Sequence, residues 1–235
     1  RTAIRTVGGS HYHNGFGGFI TLICVDQANS MVQAGLVLST KFFEPLMRSG
    51  SGNEEVSGVA ADDALGETGI SSTDIAAEEM LRANTYALLA TLLRTHPDAE
   101  ALSEFTRLQT DDTEMGRALA ALAEAARDAT ADSVSDEFHD LFIGVGETEL
   151  TPYTSYYLTG FVYEKPLAKL RVAMAGLGIS HGDDVAEPED HIASLCEIMC
   201  GLITGAFGEP ADLARQQAMF DEHIAPWAER FFEDL

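Results

Sequence analysis

From about residue 72 to the C-terminus, the apolar residues return every three or four positions and nowhere alternate convincingly with period two. That periodicity places one apolar stripe on a helix and rules out a half-buried strand, so this part of the chain is predicted to be all-α. Ser72 and Thr73 are suitable N-caps, with Asp74 in the first turn, and Ile75, Leu81, Leu88, Leu89, Leu92 and Leu93 give the first helix its face up to Pro97. Leu102, Phe105 and Leu108 mark a second helix, and an alanine-rich third runs from Thr113 to Ala129 with Met115, Leu119 and Leu122 on one side. Val134, Phe138, Leu141 and Phe142 follow helical spacing across 133–143, and Leu167, Leu170, Val172, Met174 and Leu177 suggest another helix.

Pro188 suits a first helical position, with Glu187, Glu189 and Asp190 at the positive end of the dipole. Ile192, Leu195, Cys196, Met199, Leu202 and Ile203 then form one stripe. The last helix carries Leu213, Phe220, Ile224, Trp227 and Phe231, and Pro226 should kink or split it.

Residues 1–71 differ: Gly and Ser are frequent, and no sustained periodicity appears. Phe19 to Val25 and Met31 to Leu38 fit short strands or short helices equally, and residues 49–58 read as a flexible linker. No function is assigned to this segment. His11 and His13 supply two candidate metal ligands without a third. Arg1 and Arg5 precede the apolar stretch from Phe16 to Val25, but no small-residue cleavage site follows, which argues against a secretory signal. No stretch approaches the ~20 apolar residues of a membrane helix.

The net charge of −24 disfavours nucleic acid and anionic membranes as partners and favours basic ones; a solvated or salt-adapted surface accounts for much of it. Three cysteines (Cys24, Cys196 and Cys200) are too few and too odd for a disulfide framework. Cys196 and Cys200 share a helix face and should be buried as small apolar residues.

No strong catalytic constellation is present: a phosphate loop followed by Lys, HEXXH, CXXC and GXSXG are all missing. The chain is therefore expected not to be an enzyme, and no catalytic, cofactor or metal residue is assigned. Two polar or irregular stretches remain. From His181 to His191, two histidines and five carboxylates fall within eleven residues. They fit a solvated loop followed by a capped helix, with Asp190 near the third helical position and His191 within the helix. A metal site in a metal-dependent hydrolase, using His181, Asp183, Asp184, Asp190 and His191, is the competing reading. Residues 137–157 run from an amphipathic helix through a glycine turn and Pro152 to Tyr153, Tyr156 and Tyr157. They fit an irregular loop on the core or one wall of a peptide groove.

These stretches also carry a resemblance. EFHDLFIGVG (137–146), then Pro152 and SYY (155–157), is similar to a pattern of the TorD/DmsD family, related to NarJ: a helix ending in Leu-Phe, a Gly-Pro-Gly turn, a Pro, then Ser-x-Tyr. EPEDHIASLCEIM (187–199) resembles that family's Pro-x-Asp-His and the helix after it. Arg82, Tyr86, Leu89 and HIAPW (223–227) agree as well, so the likeness spans about residues 73–235. Val145 stands in place of the turn proline, Leu195 where an acidic residue is common and Ile198 where Phe is usual.

The resemblance implies a helical chaperone domain over 72–235. A larger N-terminal and a smaller C-terminal part would be joined by a hinge at about 178–187. The implied role is to bind the twin-arginine signal peptide of an apo molybdoenzyme of the DMSO/TMAO reductase kind in the cytoplasm. It would protect the catalytic subunit and assist molybdenum-cofactor insertion before export, with no cofactor of its own, as a monomer or domain-swapped dimer. The NarJ-like alternative serves a non-exported nitrate reductase-type subunit, and a salt-adapted interaction module is a third reading. Peptide-binding residues are expected at Phe138, Leu141, Phe142, Pro152, Tyr153, Ser155, Tyr157, Pro188, Asp190 and His191, with Glu147, Glu149, Asp190 and His191 facing the arginines or ordering the loop.

Overall fold

The computed structural model describes residue 75 and residues 77–144, 148–180 and 187–235. The segment 1–71, the caps Ser72 to Asp74, the turn residue Val145, Glu147, and His181, Asp183 and Asp184 lie outside the described residues, as does most of the expected hinge.

Among the described residues the structure is all-α, as the periodicity predicts. The helices are α1 (Ala77–Arg94), α2 (Ala99–Phe105), α3 (Glu114–Asp128), α4 (Ala131–Phe138), α5 (Thr154–Thr159), α6 (Lys165–Gly176), α7 (Ile192–Thr204), α8 (Leu213–His223) and α9 (Ala225–Asp234). A five-residue π-helical turn, His139–Ile143, extends α4. No described helix is long and apolar enough to cross a membrane.

Local chemistry sets most boundaries. Asp98, Thr113 and Asp212 cap α2, α3 and α8 by accepting a backbone N–H in the first turn. Thr130 and Ser133 form a reciprocal capping box at the start of α4. Pro226 divides the last apolar run into α8 and α9, as expected of a residue that removes a donor and clashes with the preceding turn.

Helix α7 is the centre of the bundle, packed along α1 and flanked by α8. Ten of its thirteen residues are buried, so the single stripe expected from sequence is in fact nearly a full circumference. Tyr86, Leu89, Leu92 and Leu93 of α1, Leu195, Met199 and Leu202 of α7, and Trp227 and Phe231 of α9 belong to one continuous core. Each such side chain contributes roughly 1.5–3 kcal/mol by leaving water. Arg82 of α1 hydrogen-bonds Gln216 of α8, a polar tie between elements far apart in sequence. Cys196 and Cys200 are buried as predicted, and burial pushes both thiols up, Cys200 to about 11.

Three details depart from the predicted pattern. Val172 and Leu213 are 74% and 63% exposed, outside the stripes to which periodicity assigned them. Leu108 lies beyond the end of α2, although it packs against the core. The short helix α5 was not anticipated, because six residues hold too little periodicity to detect.

Candidate functional site

The two stretches singled out by sequence meet in space. The chain after Pro152 runs antiparallel to the chain before Ile192, with a β-bridge between Tyr153 and His191. Thr154 N–H donates to Asp190 O and Ile192 N–H donates to Pro152 O, each at 2.9 Å. This pairing sets the first turns of α5 and α7 side by side.

Each polar residue of the EPEDH stretch ties down a different element. Glu187 Oε2 accepts from Arg94 Nη1 at the end of α1, at 2.7 Å, and Glu187 Oε1 accepts from the Tyr153 hydroxyl at 2.9 Å. Arg94 Nη2 also donates to Ser194 Oγ and Glu197 Oε2 of α7, both at 2.9 Å. Glu189 is buried and takes a bidentate grip from Arg171 of α6, with Nε to Oε1 and Nη2 to Oε2 at 2.9 Å. Asp190, with 0% exposure, accepts the Ser155 N–H of α5 on Oδ2 at 2.8 Å. His191 Nδ1 accepts the Ala193 N–H and so caps α7. Pro188 O closes the preceding turn by accepting His191 N–H.

These positions correct the local sequence reading. Helix α7 starts at Ile192, four residues later than Pro188 at a first helical position implies. Asp190 precedes the helix and caps α5 rather than α7, and His191 is the cap itself. The extended pairing with residues 152–154 keeps this segment out of helical geometry.

The electrostatics follow from burial. Burial lowers the His191 pKa to about 4; Glu187 opposes the shift and Arg94 adds to it. At neutral pH the ring is therefore uncharged, and acceptance at Nδ1 places its proton on Nε2, which lies 3.7 Å from Glu187 Oε1. Burial works to raise the Glu187 pKa, but His191 when protonated, the Tyr153 hydroxyl and Arg94 outweigh it and hold the carboxyl below its usual range. Burial and the Glu187 bond push the Tyr153 hydroxyl up, so it stays a donor.

The remaining predicted residues fall into two further groups. Phe138 and Phe142 pack with ring centroids 4.9 Å apart, and Phe138 meets His96 edge-on at 6.1 Å. Leu141 O accepts Leu150 N–H, which returns the chain toward α5. Tyr157 turns the other way, onto Trp227 and Phe231 of α9 at 5.3 and 5.8 Å, and its hydroxyl donates to Asp234 Oδ2. Of the ten, Leu141, Phe142, Tyr153 and Tyr157 are partly exposed, whereas Phe138, Pro152, Ser155, Pro188, Asp190 and His191 are buried. Arg94 and Thr154 were missed by sequence reasoning. Their partners lie tens of residues away, and no local pattern announces them.

A cleft of ≈ 490 Å³ opens beside this joint, lined by Glu149, Leu150, Thr151, Tyr156, Tyr157, Leu158, Gly160, Arg230 and Asp234. Among the described residues no group of three or more His, Cys, Asp or Glu side chains is placed to hold a metal ion. Asp190 and His191 of the hydrolase reading are engaged in holding backbone, and its other three residues lie outside the described part.

The sequence is also similar to known proteins. The family model for the nitrate reductase delta subunit matches residues 108–233, which include both paired stretches. The chain is 25% identical over 161 residues to the chaperone protein TorD of Psychrobacter sp. (strain PRwf-1), covering 66% of this chain and 73% of that one. It is 24% identical over 173 residues to TorD of Aliivibrio fischeri, covering 65% and 80%. A 27% match to TorD of Vibrio atlanticus covers 42% and 49%. No solved structure matches. With more than half its length inside the family model and both motif stretches joined in one clasp, the chain belongs to the nitrate reductase delta subunit family, that of the TorD/NarJ-related maturation chaperones.

Proposed function

We propose that this protein is a cytoplasmic maturation chaperone for a molybdoenzyme, not itself an enzyme. It binds the twin-arginine leader of the apo catalytic subunit, of the DMSO/TMAO reductase kind, and holds the subunit for cofactor insertion before export. The observation that carries the reading is the pairing of residues 152–154 with 190–192: it draws both motif stretches together around an irregular, partly open surface. The similarity to proteins named TorD supports it.

In this reading the ten predicted residues divide by burial. Pro152, Ser155, Pro188, Asp190 and His191 hold the joint, and Phe138 supports Phe142 from below. Leu141, Phe142, Tyr153 and Tyr157 offer apolar surface, and exposed Glu149 faces cations. An exposed ion pair contributes about 0.2–1 kcal/mol. One fully buried Leu or Phe contributes roughly 1.5–3 kcal/mol. Apolar anchors therefore set affinity, and the acidic surface, on a chain of net charge −24, steers encounter and orientation. Exchange of parts through the expected hinge at about 178–187 would give a domain-swapped dimer.

The match to the nitrate reductase delta subunit model favours a second reading, in which the client is a non-exported nitrate reductase-type subunit and the bound segment lacks paired arginines. Calorimetry separates the two. A synthetic leader with adjacent arginines and a leucine-rich stretch should bind, and replacing its leucines by serine should weaken binding more than replacing both arginines by glutamine. Binding of an arginine-free N-terminal peptide from a nitrate reductase-type subunit, with no heat from the leader, would replace the first reading by the second.

A further inference from the structure

The end of α5 away from the joint has an unusual surface. Tyr156, Leu158, Phe161, Val162 and Tyr163 are all exposed, Phe161 at 71% and Tyr163 at 67%. Single exposed apolar residues are ordinary, but five within eight positions form a contiguous strip of the kind that marks an interaction site.

The strip is held out by design of its turn. Gly160 ends α5 in the left-handed region at φ 82°, where a side chain is disfavoured. The Thr159 hydroxyl lies 2.7 Å from Ser155 O and accepts the Phe161 N–H at 3.3 Å, which fixes the next residue outward. Tyr163 is the one described non-glycine residue with positive φ, at 63°. Such strain in an aromatic residue persists only where the surroundings impose it. The turn thus resists collapse of its aromatic side chains onto the core.

The strip borders the cleft, since Tyr156, Leu158 and Gly160 line both. The cleft carries Glu149 and Asp234 against Arg230, whose guanidinium carbon already sits 5.7 Å above the Tyr157 ring. Acidic groups therefore flank one end of the strip, while Glu164 and then Lys165 and Lys169 of α6 follow the other in sequence. On this surface a basic segment is a better occupant than a second copy of this chain, because two chains of net charge −24 repel.

We propose that the Tyr156–Tyr163 strip and the adjoining cleft form the docking surface for an extended polypeptide segment. Its cations lie against Glu149 and Asp234, and its apolar run lies over Leu158, Phe161 and Tyr163. The assignment rests on the chaperone reading for the source of that segment, a client leader. It extends the apolar contact from Leu141, Phe142, Tyr153 and Tyr157 to the end of α5 away from the joint.

Fluorescence anisotropy of two labelled synthetic peptides tests it: the twin-arginine leader, and a peptide of the same composition with its arginines separated. Leu158→Ser with Phe161→Ser should weaken whichever peptide binds by at least tenfold, with an unchanged thermal melt. Tyr163→Asn, which tolerates the left-handed backbone, should weaken it severalfold. Glu149→Gln should weaken it less, and only at low salt. Leader binding left within twofold by the double variant would overturn the strip while the chaperone reading stands. Equal binding of both peptides, abolished by the double variant, would keep the strip and remove the twin-arginine reading. Failure of both peptides to bind, or a concentration-dependent dimer in sedimentation that Phe161→Ser abolishes, would also overturn the proposal.

Discussion

The two ends of α5 are built on opposite principles. At its start, Thr154 and Ser155 are buried and their N–H groups are consumed by Asp190, so the backbone is sealed against α7. At its end, within two turns, Leu158 and Phe161 stand in solvent on a turn that keeps them there. A polar group inside a protein is tolerated when satisfied, and an apolar group outside is tolerated when something holds it out. The first arrangement gives shape to the fold; the second leaves binding energy unspent.

This contrast is sharpest in mutants. Asp190→Ala removes a buried acceptor and strands the Ser155 N–H, and should cost about 3 kcal/mol in urea unfolding. A loss near zero would mean that the joint is not holding the fold. Acid should act on the same end. His191 has a folded pKa of about 4 against 6.5 ordinarily, so its neutral form favours folding. That stability is complete above pH 6.5 and is lost as pH falls toward 4, by about 3 kcal/mol. The lowered Glu187 pKa extends the loss in the same direction below the usual carboxylate range. His191→Asn keeps a capping side chain and should flatten the slope of stability with pH between 6.5 and 4. Arg94→Met breaks a half-buried network and should cost about 1 kcal/mol after allowance for solvent screening. Phe161→Ser, at the other end, should change stability by no more than about 0.5 kcal/mol. A larger loss would show that the strip belongs to the core rather than to the surface.

Much of the architecture was legible because helices announce themselves locally. The Thr113 cap, the split at Pro226 and the apolar faces of α1 and α3 are each encoded within a few residues. The site was legible only in part. EPEDH looked like a helix start, since Pro and acids there are what a first turn prefers. It is instead a turn that ends in an extended cap at His191, because the carbonyl of Pro152 and the N–H groups of Thr154 and Ser155 needed partners that lie nearly forty residues away. Residues such as Phe161 and Tyr163, in a run too short for any period, carried no signal that they would face solvent.

By itself the sequence determined the helical class, most helix boundaries and the acidic surface, since these depend on spacing, caps and charge carried by neighbours along the chain. Only the tertiary structure decided that Asp190 caps α5, that Arg94 and Arg171 grip one motif from two helices, and that one end of α5 is buried while the other is bare. Those outcomes follow from which distant groups burial leaves beside one another, and hydrogen bonds across 18 to 103 residues have no local imprint.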